Sequence, residues 1–219
     1  RPQSIDIHLA ASRDGLNFTR VCRGEPFIPS GSTGYYDYMA MACDQSEPII
    51  VNGTVYIYYA ALNVPHDFDP NVEGENGGAA LATFKRDRLV SLQTGESGSG
   101  LCRVTTKPFT VRHSKLYLNA ATWMKGSIRV EALTRDWRPI PGFTEPQALG
   151  IQGDALDHPV RWKDNIDVSK LLGKEIRLKF YMTRARMYAM TLSDEDRKLN
   201  AVDSEYHDDK QADSSPKLI

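Results

Sequence analysis

The strongest constraint on the fold of this chain is a succession of short runs that alternate apolar and polar residues, each closed by turn-forming residues. The clearest case is Ile49-Ile50-Val51 followed by Asn52-Gly53 and then Thr54-Val55-Tyr56-Ile57-Tyr58-Tyr59. Asn-Gly suits a type I′ turn, because both positions need positive φ and the twist of that turn matches the twist of the flanking strands. A hairpin is therefore predicted here. Ser4–Ala10 also alternates, with Ile5, Ile7 and Leu9 on one side. Ser12-Arg13-Asp14-Gly15 then reads as a tight turn, and Leu16–Val21 as a returning strand. Residues 78–84 lead through Lys85-Arg86-Asp87-Arg88 into another strand at 89–92.

Gly95-Glu96-Ser97-Gly98-Ser99-Gly100 is the main punctuation point, and it places a boundary near residue 96. Strands are predicted beyond it at 101–111, 115–120, 127–133, 158–162, 175–183 and 186–191. Residues 167–174 offer at most one helical turn between strands. This spacing with almost no helix predicts an all-β chain whose second part, 96–192, is a β-sandwich.

Composition limits the function classes. The chain has 219 residues, with 41% hydrophobic and 9% aromatic residues, enough for a packed core. A net charge of −1 argues against a dedicated nucleic-acid binder. No apolar run reaches the length of a membrane-spanning helix. The chain opens Arg1-Pro2-Gln3-Ser4, without a signal peptide, as a trimmed or processed chain would. From Ser193 onward there are eight acids and four bases, leaving 20 acids and 23 bases in the body. Residues 193–219 lack apolar periodicity and read as a disordered acidic C-terminal tail.

Three pieces of the first segment carry a resemblance. Ala11-Ser12-Arg13-Asp14-Gly15-Leu16-Asn17-Phe18 is similar to a blade hairpin of the form A-S-x-D-G-x-x-W/F. Glu47-Pro48-Ile49-Ile50-Val51-Asn52-Gly53-Thr54-Val55-Tyr56-Ile57-Tyr58-Tyr59-Ala60 is similar to P-I-V-x-G-D-x-Y-x-Y-Y-G. Residues 78–92 are similar to I-G-L-A-x-x-R-x-D-G-F-V-S-L, with Arg88 where that pattern has glycine. In this order the pieces resemble the five-bladed β-propeller glycosidases of the family 32/43/68/117 superfamily, with an appended β-sandwich. The resemblance implies a partial propeller, its last blades, over residues 1–95. Five blades of four short strands need about 300 residues, so a companion chain or segment would have to supply the rest. The superfamily's catalytic carboxylates lie on its first three blades, so no catalytic residue is assigned and no turnover is expected from this chain alone.

The resemblance also proposes ligand contacts. Tyr35-Tyr36-Asp37-Tyr38-Met39 aligns with an inner strand, W-D-x-G-M, that lines the central funnel. Carbohydrate is the implied ligand, with Asp37 accepting hydroxyl hydrogen bonds and Tyr36 or Tyr38 stacking beside it. The register is offset, since Met39 does not follow a glycine here. His66, after Tyr58-Tyr59-Ala60-Ala61, takes the place of a blade-edge histidine. The plainer expectation is that the tyrosines pack the sheet, Asp37 forms a turn and His66 is a loop residue.

No cofactor or metal is expected. Asp67-Phe68-Asp69-Pro70-Asn71-Val72-Glu73 begins like a calcium loop, but Val72 stands at the required glycine and Gly78 at the closing glutamate. Cys22, Cys43 and Cys102 match no metal spacing. An odd count permits one bridge plus a free thiol or three buried thiols, and Cys22 with Cys43 is the candidate pair. Asn17-Phe18-Thr19 and Asn52-Gly53-Thr54 are glycosylation sequons. Together these suggest an extracellular or secretory location. Trp162 alternates with Val160 and is expected in the core. The competing expectation for function is an extracellular structural or interaction module that keeps the scaffold without hydrolase activity.

Overall fold

The computed structural model describes residues 4–22, 24–43, 47–65, 77–95 and 100–198. Its regular structure is almost entirely antiparallel β, as the strand spacing predicts. The chain divides into two units, one ending at Arg86 and the other beginning at Asp87.

The first unit contains β1 (Ala10–Ser12), β2 (Phe18–Arg20), β3 (Ala40–Cys43), β4 (Ile49–Val51), β5 (Thr54–Leu62) and β6 (Gly78–Lys85). β1 and β2 form a hairpin. Its turn is organised by Asp14, whose carboxylate accepts from the backbone N–H of Leu16 at 2.9 Å and of Asn17 at 2.7 Å. The strand predicted from Ser4 is shorter than its alternation suggests. Ile5 and Ile7 make only single bridges, to Ala40 and Ile28, and the ladder begins at Ala10.

β5 is the spine of the second sheet in this unit. One side pairs with β6 along most of its length. The other side pairs first with β4 and then with β3. Ile49↔Tyr56 and Cys43↔Tyr59 differ in register by three residues, so β3 and β4 act as two halves of one interrupted edge strand. The β4–β5 turn has φ of 49° at Asn52 and 75° at Gly53, the two positive values that the type I′ turn demands. Alternation along β5 turns Val55, Tyr59 and Ala61 inward. The core of the unit joins Ile28, Met41, Tyr59, Ala61 and Ala80.

The second unit contains β7 (Leu92–Gln93), β8 (Cys102–Thr105), β9 (Phe109–Thr110), β10 (Lys115–Thr134), β11 (Asp154–Pro159) and β12 (Glu175–Ser193). β10 and β12 pair along nearly their full length, β11 lies on the far side of β10, and β7, β8 and β9 share the far side of β12. Because β7 pairs with β12, residues 87–95 belong with this unit and not with the preceding segment.

The strands expected at 115–120 and 127–133 are one continuous strand, as are those at 175–183 and 186–191. Both long strands change register at the same place, between the pairs Thr122↔Ala185 and Ser127↔Thr183. Met124, Lys125 and Arg184 take positive φ there. Both halves of β10 and both halves of β12 then feed one core, with Leu118, Val130, Phe180 and Met187 among its members. Trp162 is buried in it, as expected. Its Nε1 donates to the Val130 carbonyl at 2.8 Å, and its ring meets Phe143 edge-on at 5.0 Å. The helical turn expected at 167–174 is a single 3-10 turn, Ser169–Leu171.

Candidate functional site

The aromatic run that the sequence singles out lies in the first unit, on the connection entering β3. The chain turns tightly through Ser32, Tyr35 and Tyr38, where the N–H of Tyr35 donates to the Ser32 carbonyl and that of Tyr38 to the Tyr35 carbonyl. Asp37 is thereby turned inward and is 0% exposed. The Tyr59 hydroxyl donates to its Oδ2 at 3.4 Å, while Oδ1 has no hydrogen-bond partner. Gly31 makes room for the carboxylate. Its N–H donates to the Asp37 carbonyl at 3.1 Å, and a Cβ on Gly31 would stand 2.0 Å from Oδ1.

Tyr36 lies beside this pair, half-buried, with its hydroxyl in hydrogen-bond contact with Tyr59. Burial pushes the Tyr59 phenol far above its ordinary range, and the bonds to Tyr36 and Asp37 add to that. Burial raises Tyr36 as well, with the Asp37 charge as a lesser cause. Both phenols are therefore neutral donors at physiological pH. Leaving a buried acceptor unpaired costs about 1–3 kcal/mol. The arrangement thus holds an open acceptor at a cost that the packing of the unit does not explain.

The structure brings Asp37 and Tyr36 together and keeps Tyr38 half-buried in the same turn. Asp37 has no solvent contact, so in this conformation it accepts from the Tyr59 hydroxyl and does not itself face a ligand. Tyr59 was not among the residues anticipated, although the inward parity of β5 marks it. His66 and the calcium-like loop 67–73 lie outside the described residues. No cluster of metal-ligating side chains occurs among the described residues.

Asn17 and Asn52 are both exposed. The Asn17 side-chain amide donates to Asp14 at 2.7 Å, and Asn52 sits at the tip of the β4–β5 turn. Cys22, Cys43 and Cys102 are free thiols, so the Cys22–Cys43 bridge is not formed in this structure. Partial desolvation raises the Cys43 thiol above its ordinary value, although the residue is exposed.

No family model, curated protein or solved structure matches this chain. No helix among the described residues is long and apolar enough to cross a membrane.

Proposed function

We propose that this chain is a glycosidase-like, carbohydrate-associated protein with no turnover of its own, consisting of propeller-blade strands followed by a β-sandwich. The observation that carries this reading is the buried Asp37 with one unpartnered oxygen, wired through Tyr59 to the half-buried Tyr36. A fixed hydroxyl chain beside an aromatic ring suits a sugar: C–H surface meets the ring, and the Tyr36 oxygen, its proton held by Tyr59, accepts from a sugar hydroxyl. Asp37 acts as the positioning residue, while Tyr36 and Tyr38 meet the sugar.

A companion chain or segment completing the blades is part of the reading. The edge strand β4 supports it, because Ile49, Ile50 and Val51 are all exposed, as are Leu16 and Phe18. An apolar edge of this kind is ordinarily paired or covered. The same exposed edge favours the second reading, an extracellular interaction module that has kept the scaffold without hydrolase activity.

Calorimetric titration of the whole chain with a panel of neutral oligosaccharides separates the two. The carbohydrate reading expects binding to at least one sugar without release of reducing ends. Tyr36→Phe should weaken that binding by about 1 kcal/mol, near fivefold, beyond the small fall in melting temperature that loss of its bond to Tyr59 brings. A panel without binding, or binding indifferent to Tyr36, leaves the interaction module as the better account.

A further inference from the structure

The second unit carries a separate surface feature, at the turn that leaves β10. Trp137 is 57% exposed and has φ of 67°. The turn itself needs only backbone and a threonine: the N–H of Trp137 donates to the Thr134 carbonyl, and that of Arg138 to the Thr134 hydroxyl. Glycine or asparagine would occupy such a position at less cost than a bulky residue, whose Cβ crowds the backbone at left-handed φ. Core packing does not use the indole. A strained, exposed tryptophan that the fold does not require points to a surface for a ligand.

Its surroundings are cationic and prearranged. The Arg177 guanidinium lies 4.5 Å from the Trp137 ring centroid. Its Nε donates to the Arg135 carbonyl at 3.0 Å and its Nη1 to the Thr106 carbonyl at 3.2 Å. The group is thus held by neutral acceptors, and no carboxylate pairs with it among the described residues. Ile176, Leu178, Phe180 and Met182 point into the core, so Arg177, Lys179 and Tyr181 stand on the opposite face of β12. Arg103 is directly opposite Tyr181 on β8 and adds a further cation. Of the nearby acids, Glu175 pairs with Arg135 at 3.1 Å, while Glu131 stands directly opposite Lys179 across the strands and accepts from the Tyr181 hydroxyl at 2.7 Å. Asp136 is exposed in the turn itself.

We propose that Trp137 and Arg177, continued along the sheet by Lys179 and Arg103, bind a carboxylate-bearing polysaccharide, a polyuronate chain. A sugar ring stacks on the indole, and carboxylates of successive rings meet the cations: Arg177 and Lys179, two residues and about 7 Å apart on β12, and Arg103 on the neighbouring β8. Arginine predominates in the row, and its planar fork matches a carboxylate. This site lies in a different unit from Asp37 and does not depend on the reading given for it.

The test is affinity electrophoresis of the whole chain in gels containing polygalacturonate, amylose, heparin or single-stranded DNA. Retardation is expected in polygalacturonate, weakening as salt rises. Trp137→Gly should reduce affinity at least about tenfold, a loss of about 1.4 kcal/mol. Its melting temperature should hold or rise, since glycine relieves the strained φ. Lys179→Ala and Arg103→Ala should each weaken binding several-fold and flatten its salt dependence, and as surface substitutions they keep the test decisive if the glycine variant folds poorly. Absence of retardation in polygalacturonate overturns the proposal. So does equal retardation in amylose, stronger retardation in heparin or DNA, or affinity unchanged when the cations or the indole are removed.

Discussion

At the scale of single residues, the sharpest dependence in the first unit is between Gly31 and Asp37. A methyl group on Gly31 would meet Asp37 Oδ1 at 2.0 Å, and that oxygen has nowhere to go within a wholly buried site. Gly31→Ala should destabilise the first unit by about 1–3 kcal/mol, the usual cost of overpacking. Combining it with Asp37→Ala removes the obstructing carboxylate. Equilibrium denaturation of the two single variants and the double variant should then show a strong favourable coupling. Additive losses would mean that the carboxylate is not what Gly31 accommodates.

His158 sets a pH dependence in the second unit. Its Nε2 donates to the Ala120 carbonyl at 3.1 Å, and burial holds its pKa below the ordinary value of 6.5, against the opposing pull of the Ala120 bond and Asp154 and aided by Arg88. The folded state therefore keeps the ring neutral, while the unfolded chain protonates it near pH 6.5. Its contribution is complete above 6.5 and is lost as pH falls from there toward the depressed folded value. Melting temperatures at pH 7.5 and 5 should fall further apart for the native chain than for His158→Gln. Equal differences in the two proteins would remove His158 as a cause.

At the scale of elements, the long β10–β12 pair depends on its shared bend. Gly126 sits in that bend, where a Cβ would stand 2.1 Å from the Arg184 carbonyl oxygen and 2.7 Å from that of Thr183. Glycine-to-alanine changes at unstrained sites stabilise by about 0.4–1 kcal/mol through the unfolded chain. Here the backbone oxygens cannot yield without breaking the pairing, so Gly126→Ala should destabilise the second unit by about 1–3 kcal/mol in urea denaturation. A stabilised variant would show that the two strands approach less closely than this.

The same bend marks the limit of what the sequence discloses. Alternation and turn chemistry are local, so the Asn52-Gly53 hairpin and the single turn at 169–171 are legible in advance. Trp123-Met124-Lys125-Gly126 also looks like a turn between two strands. That the chain continues as one bent strand is decided by the opposite bend at Arg184, almost sixty residues away. The candidate site divides in the same way. Tyr36, Asp37 and Tyr38 stand out as an aromatic and acidic cluster, but the burial of Asp37 depends on Gly31 and Tyr59 closing over it from separate parts of the chain. Ile5 and Leu9 alternate as a strand would, yet Ser4–Ala10 enters a ladder only at Ala10, because its earlier residues have single-bridge partners.

At the scale of the whole molecule, the two units differ in what they bury. Among the described residues, the first core cluster has five buried members, two of them alanines, whereas the second has twenty, including Trp162, Phe143 and Phe180. Stability rises with apolar surface removed from water, so the first unit should unfold at a lower temperature than the second. The aromatic residues make the two events separable. All three tryptophans, Trp123, Trp137 and Trp162, lie in the second unit, while the first has only tyrosines beside its phenylalanines. Heating should give two calorimetric transitions, and far-ultraviolet circular dichroism should follow both. Tryptophan fluorescence should follow only the upper one, led by the buried Trp162. A neutral oligosaccharide held through Tyr36 should raise the lower transition alone, and polygalacturonate held at Trp137 the upper one alone, because a ligand stabilises the unit that binds it. A single transition, coincident in all three measurements, would show that the units unfold as one cooperative body and that the small core of the first draws its stability from the second.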